Sequence, residues 1–289
     1  MKKRLVALIP NFLKPPLKKL YYIPVDIIDR LKGRNSMIPP RSMIFIGDGS
    51  FEKIGQEFLN YFTQLADLQP NSRVLDVGCG IGRMAVPLTT YLSNQGEYWG
   101  VDIVQKGIQW CQEHITSKFS NFHFMHSDIY NKFYNRNGKF HAQDFRFPFD
   151  DEFFDFVFLT SVFTHMLPSD IRHYMGEISR VLKPGGKCLI TFFILNEESK
   201  KLVTSGYSAL NFQYKLDDFL TINETVPEDA VAYEEEFVKK LFENHGLVFT
   251  QPIHYGSWCG RQNFLTYQDL IVAEKTKSGG FSSGKWHTD

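Results

Sequence analysis

A chain of 289 residues with 43% hydrophobic content has room for one large α/β domain with additions, or for two small domains. Its net charge is zero, yet residues 1–41 hold ten Lys or Arg against Asp26 and Asp29, a net of +8, which leaves −8 on the remainder. The acidic remainder and the lack of a recognition module disfavour nucleic acid as a partner, and no apolar run approaches the ~20 residues that span a bilayer. Cys79, Cys111, Cys188 and Cys259 are widely spaced, with no C-x-x-C pair. No metal site is therefore expected, and a reducing cytoplasm fits best.

In chain order, residues 1–45 are basic, Pro-rich and aromatic, and are expected to form an arm with short helical pieces. Residues 1–10 imitate a secretory leader, but the apolar run stops at Pro10 and Lys14 with no small-residue cleavage site after it. Residues 44–49 read as a short strand or turn, and residues 51–66 have helical spacing. The core then alternates. Strands are expected at about 73–77, 98–103, 122–126, 154–160, 187–195, 247–253 and 268–274. Helices are expected at 82–92, 105–118, 169–182 and 233–245. Pro87 demands a kink or a late start in the first of these, and Gly246 caps the last. Residues 128–147 and 196–232 exceed what such a core needs and read as lids or specificity elements. The Ser/Gly-rich residues 277–289 read as a disordered tail. The expected organisation is an arm or lid over 1–45, one domain over 46–276, and the tail.

The most informative stretch is Val74-Leu75-Asp76-Val77-Gly78-Cys79-Gly80-Ile81-Gly82-Arg83. It reads as an apolar strand, a glycine turn and a helix start. The glycines let a ligand approach the main chain without Cβ obstruction, and the helix start offers free N–H groups. Asp76 repels a pyrophosphate and welcomes a cation. A nicotinamide fingerprint also fits Gly80-Ile81-Gly82-Arg83-Met84-Ala85 with Asp102 about 20 residues on, but gives Asp76 no role.

This stretch resembles the first motif of class I S-adenosylmethionine-dependent methyltransferases. Gly100-Val101-Asp102-Ile103, Phe147-Pro148-Phe149 before Phe154-Asp155-Phe156-Val157, and Arg180-Val181-Leu182-Lys183-Pro184-Gly185-Gly186 agree in order and spacing across residues 70–195. The resemblance implies a seven-stranded, mostly parallel, doubly wound Rossmann-like sheet with an antiparallel last strand. The arm and the insertions after strands three and five are additions to it. It implies S-adenosylmethionine as cofactor and a small-molecule acceptor, most simply an oxygen of a natural product, sugar or lipid head group. N- or C-methylation, or a non-catalytic cofactor-binding module, stay open. Asp76 would face the amino-acid part of the cofactor, Gly78 and Gly80 would allow close backbone approach, and Asp102 would accept the ribose hydroxyls. Ile103 would pack on adenine. Asp128 would meet its amine, with Gln143 or Asp144 as alternatives. Thr160 ends the strand beside the methyl group, and His165 is the candidate general base. His254, Tyr255, Trp258 and Arg261 would lie at the same edge, as pocket residues or ordinary surface.

Three readings of the arm stay open: a solvated extension, a lid closing residues 46–51 on the cofactor, or contact with anionic lipid through residues 1–19. The apolar cluster Leu20, Tyr21, Tyr22, Ile23, Val25, Ile27 and Ile28 is expected to hold residues 20–50 over the cofactor cleft.

Overall fold

The computed structural model describes residues 14–47, 49–216 and 219–276, with residues 14–19 as backbone only. The expectations for residues 1–13 and for the tail lie outside the described residues.

The chain begins with helix α1 (Lys14–Leu31), one continuous helix rather than short pieces, with Pro24 inside it. Helix α2 (Phe51–Gln64) is capped by the Ser50 hydroxyl, which accepts from Lys53 N at 3.3 Å. The core then runs β1 (Arg73–Val77), α3 (Ala85–Leu88), β2 (Glu97–Asp102), α4 (Gln105–Cys111) continued by a π-turn to Thr116, β3 (Phe122–His126) and β4 (Phe154–Leu159). It continues with α5 (Pro168–Val181), β5 (Leu182–Phe192), β6 (Ile194–Leu195), α6 (Glu197–Thr204), β7 (Tyr214–Leu216), β8 (Phe219–Thr221) and β9 (Val231–Glu234). Helix α7 (Glu235–Glu243), β10 (Leu247–Phe249) and β11 (Asp269–Lys275) complete it.

Seven strands form one sheet in the order β10-β11-β5-β4-β1-β2-β3. All pairs are parallel except those of β11, which is antiparallel to both neighbours. The near-continuous apolar strands β1 and β4 occupy its buried centre, as strands covered on both faces require. One face packs Phe62, Tyr98, Phe122, Phe156 and Phe158 under α2 to α4. The other packs Leu75, Val157, Ile190, Met175 and Phe242 under α5 and α7.

Several boundaries move for identifiable reasons. The helix expected over 82–92 is a single α-turn at Ala85–Leu88, because three left-handed glycines precede it and Pro87 lacks an N–H. The strand expected over 187–195 starts at Leu182 and takes in Lys-Pro-Gly-Gly, with a register shift against β4 between Phe154 and Phe156. The helix expected from 233 starts at Glu235, because Val231–Glu234 is a strand. The strand expected over 247–253 ends at Phe249. Four short strands form a second sheet, β6-β9-β8-β7, where only a long connection was expected.

The Arg-Val-Leu-Lys-Pro-Gly-Gly segment also has a structural task. Arg180 donates to the Phe149 and Phe147 carbonyls at 2.8 and 2.9 Å and to Glu177 Oε2 at 2.6 Å. Glu177 in turn accepts from Phe147 N at 2.7 Å. The two distant motifs are thus bonded to each other.

The expected docking of residues 20–50 is met only in part. Leu20, Tyr21, Ile23, Ile27 and Ile28 are exposed rather than packed on the cleft. The contact with the domain is made further on, by Ile38, Phe51 and residues 44–46, which cluster with Ile81.

Candidate functional site

The loop after β1 turns through Gly78, Gly80 and Gly82, at φ of 86°, 60° and 84°. L-residues avoid this region. Gly78 N and Cys79 N both donate to Val101 O, at 2.8 and 3.1 Å, which fastens the turn to β2. Gly80 N donates to Asp102 Oδ2 and Val104 N to Asp102 Oδ1, each at 2.7 Å. A carboxylate offers about four acceptor sites, so Asp102 organises the turn and keeps lone pairs for a ligand.

Asp76 is fully buried. Tyr98 Oη donates to its Oδ2 at 2.6 Å, while Oδ1 has no hydrogen-bond partner among the described residues. Burial pushes its carboxyl up to about 8; the Tyr98 hydrogen bond opposes this and the nearby Asp102 charge adds to it. Burial likewise raises Asp102, against the pull of its backbone hydrogen bonds. Two carboxyls with raised affinity for protons flank one glycine turn. A cationic ligand relieves both, and a pyrophosphate would aggravate both.

The turn is covered from the N-terminal side. A Cβ on Gly80 would stand 2.8 Å from Ile46 Cγ2, and one on Gly107 would stand 3.1 Å from Phe45 Cζ. Arg83 donates to Ile46 O and Gly47 O at 2.7 and 3.1 Å, clamping this strap. The Phe45 ring lies 6.4 Å from that of Tyr134, so the strap meets the insertion after β3. Ile103 is half-buried, and its carbonyl lies 3.1 Å from His126 Nε2. Asp128 follows β3 and is held by Asn135 and Lys139, each at 3.4 Å, whereas Gln143 and Asp144 are exposed on the turn Ala142–Asp144.

At the end of β4, Thr160 is half-buried, and Ser161 has φ +60°. This is a strained conformation for a non-glycine residue. Ser161 N donates to Thr191 Oγ1 at 2.8 Å, and its hydroxyl donates to Gln268 Oε1 at 3.0 Å. Val162 reaches back over the turn, 2.3 Å from where a Gly78 Cβ would lie. His165 is half-buried, with Nδ1 3.0 Å from the Glu228 carbonyl. A carbonyl only accepts, so Nδ1 carries a proton, and in the neutral ring the lone pair is then on Nε2. Tyr233 Oη also donates to Met166 O, so the small second sheet forms one wall beside this segment.

The residues between β10 and β11 divide in two. Trp258 and Arg261 are buried, not surface. Asp269 Oδ2 accepts from Trp258 Nε1 at 2.7 Å and Ile194 N at 2.6 Å, while Oδ1 accepts from Gly256 N at 2.6 Å. Arg261 bonds Asp269, Glu198 and Asn196 and stacks on Tyr255. Tyr255 Oη donates to Glu235 Oε2 at 2.8 Å. His254 lines a cavity of 540 Å³ together with Leu202, Ile253, Tyr255, Asn263 and Phe264. Among the described residues no group of His, Cys, Asp and Glu forms a metal site.

A family profile described as a methyltransferase domain matches residues 75–190, the span that holds this turn and both carboxyls. The chain carries a class I S-adenosylmethionine-dependent methyltransferase domain. The chain is 25% identical over 270 residues, 90% of its length and 50% of the relative's, to phosphoethanolamine N-methyltransferase 3 of Arabidopsis thaliana. It is 30% identical over 140 residues, 48% of its length, to sterol 24-C-methyltransferase erg6 of Schizosaccharomyces pombe, covering 32% of that protein. It thus spans a third to a half of these curated relatives. The crystal structure of the PH0226 protein of Pyrococcus horikoshii OT3 superposes with a TM-score of 0.55 at 19% identity, over 81% of this chain and 95% of that one. That likeness concerns the fold alone. The cofactor of the methyltransferase domain is S-adenosylmethionine, and the glycine turn between two proton-hungry carboxyls suits its positively charged groups.

Sequence reading missed Tyr98, the partner of Asp76. It missed Arg83 as a clamp. It also missed Ser127, whose buried hydroxyl, just after β3, has no partner among the described residues. Only Arg83 carried a sequence signal, as a cation directly after the glycine turn.

Proposed function

We propose that the chain transfers a methyl group to a small-molecule acceptor through an oxygen that must lose its proton, as in a hydroxyl of a natural product, sugar or lipid head group. The cofactor supplies a methyl group already activated on a sulfonium. Asp76 answers the cofactor's ammonium, Asp102 holds its ribose hydroxyls, and Gly78 and Gly80 admit it to the backbone. Ile103 packs on adenine, and Asp128 takes its amine; Gln143 and Asp144 are the more exposed alternatives. Thr160 borders the reacting edge. Holding donor and acceptor in line is worth on the order of 7–11 kcal/mol at best, so the side chains need to add little beyond proton removal.

The observation that carries the oxygen reading is the His165 hydrogen bond. With Nδ1 donating to the Glu228 carbonyl at 3.0 Å, Nε2 is the nitrogen that can accept a proton in the neutral ring. His165→Gln should lower turnover about 10²-fold while leaving cofactor affinity near wild type. Normal turnover in that variant would make positioning the whole mechanism.

A second reading, N-methylation of a small amine, is favoured by the alignment with the phosphoethanolamine N-methyltransferase over 90% of the chain. Product masses from methyl-labelled cofactor and a cell extract separate the two, and absence of any labelled product would favour a non-catalytic cofactor-binding module.

A further inference from the structure

The exposed face of α1 has not been assigned a task by the site above. Leu20, Tyr21, Ile23, Ile27, Ile28 and Leu31 are all exposed, Leu31 to 83%. With Pro24, they fall within about 160° of the helix circumference at 100° per residue. The polarity of this helix is inverted for a surface helix, since its acids face the protein and its apolar residues face out. Asp26 accepts from Arg41 N at 2.6 Å and Ser42 N at 3.2 Å, and Asp29 lies 3.0 Å from Arg41 Nε. Asp26 and Asp29 are the only acids within residues 1–41, and both are neutralised on the inward side. Arg30 and Lys32 remain exposed at the end of the apolar face.

We infer that α1 is a docking element for an anionic lipid bilayer, lying in the interface with Leu20, Ile27 and Leu31 inserted and its cations at the headgroups. A large apolar face flanked by cations is what such a surface selects. No described helix is long and apolar enough to cross a membrane, so α1 lies on the bilayer rather than through it. The alternative occupant is a second copy. It is disfavoured by charge, because pairing two such faces brings two segments of net +8 together. The protein's own acidic domain does not cover this face, which points away from it. Through Asp26, α1 is bonded to the turn Arg41–Met43, three residues before Ile46 on the glycine turn. Docking therefore places the cofactor strap close to the bilayer surface.

The full chain should co-sediment with phosphatidylcholine vesicles carrying about one-third phosphatidylserine, and only weakly with phosphatidylcholine alone. High salt should weaken that binding. The double variant Ile27→Glu, Leu31→Glu should lose at least about tenfold in partitioning, with an unchanged thermal melt and cofactor affinity. Equal binding to both kinds of vesicle, or a double variant that partitions like wild type, would overturn the assignment. A wild-type dimer that the double variant dissociates, with no vesicle binding by either, would give the face to a second copy instead.

Discussion

Asp76 shows how much one buried atom can report. Its Oδ1 has no partner among the described residues and its carboxyl is pushed up to about 8, against a value near 4 in the unfolded chain. A raised folded value means that its contribution to stability is full below about pH 4 and is lost as pH rises through about 8. Each unit of upward shift is worth about 1.4 kcal/mol. Asp76→Asn can still accept the Tyr98 hydroxyl but removes the buried charge. Its cofactor-free form should therefore gain on wild type steadily between pH 5 and pH 8, while binding S-adenosylmethionine more weakly. Thermal melts at the two pH values and calorimetry at one check both halves, and parallel melting curves would mean that Asp76 does not titrate in this window. The acids Asp76 and Asp102 were legible because each stands near the end of an apolar strand, two residues from a glycine. Tyr98 was not, because a strand tyrosine looks the same whether it packs or donates to a partner 22 residues away.

Among the elements, the strap lies directly over the glycine turn. Its grip rests on buried Arg83, which donates to two strap carbonyls. Hydrogen bonds from charged donors are worth about 1.5–3 kcal/mol each. Arg83→Ala should therefore speed cofactor dissociation by about tenfold or more, with far less effect on the association rate, as stopped-flow fluorescence would record. An unchanged off-rate would reduce the strap to a passive cover. Strand positions were legible from apolar runs, and Pro87 foretold a truncated helix. The second sheet was not, because β6 to β8 are two or three residues long, too short for any period to appear. Helix α1 had a legible apolar pattern, but a pattern does not say whether its stripe faces a core or the outside. Here the acids, bonded to Arg41 and Ser42, turned it outward.

For the whole molecule, closure of the C-terminal edge depends on Asp269. It gathers the start of β6, the loop after β10 and the start of β11 through Ile194, Gly256, Trp258 and Arg261. Asp269→Ala would leave Arg261, only 3% exposed at its side chain, without its buried counter-charge. Removing one partner of such a pair costs about 3–5 kcal/mol, so denaturant unfolding should show a loss of that size, together with loosening of the small second sheet. A loss below about 1 kcal/mol would place the closure elsewhere. From sequence, Trp258 and Arg261 read equally well as surface or pocket; only their convergence on one carboxylate shows that they brace the edge. What the sequence determined by itself was the alternating architecture, the glycine turn and its flanking acids, because these depend on local spacing and on backbone freedom at particular residues. What the tertiary structure alone decided was which distant groups meet: Tyr98 under Asp76, Ile46 over Gly80, Glu228 behind His165, and the exposed side of α1. Those pairings follow from register and packing between segments far apart in the chain, and no local pattern encodes them.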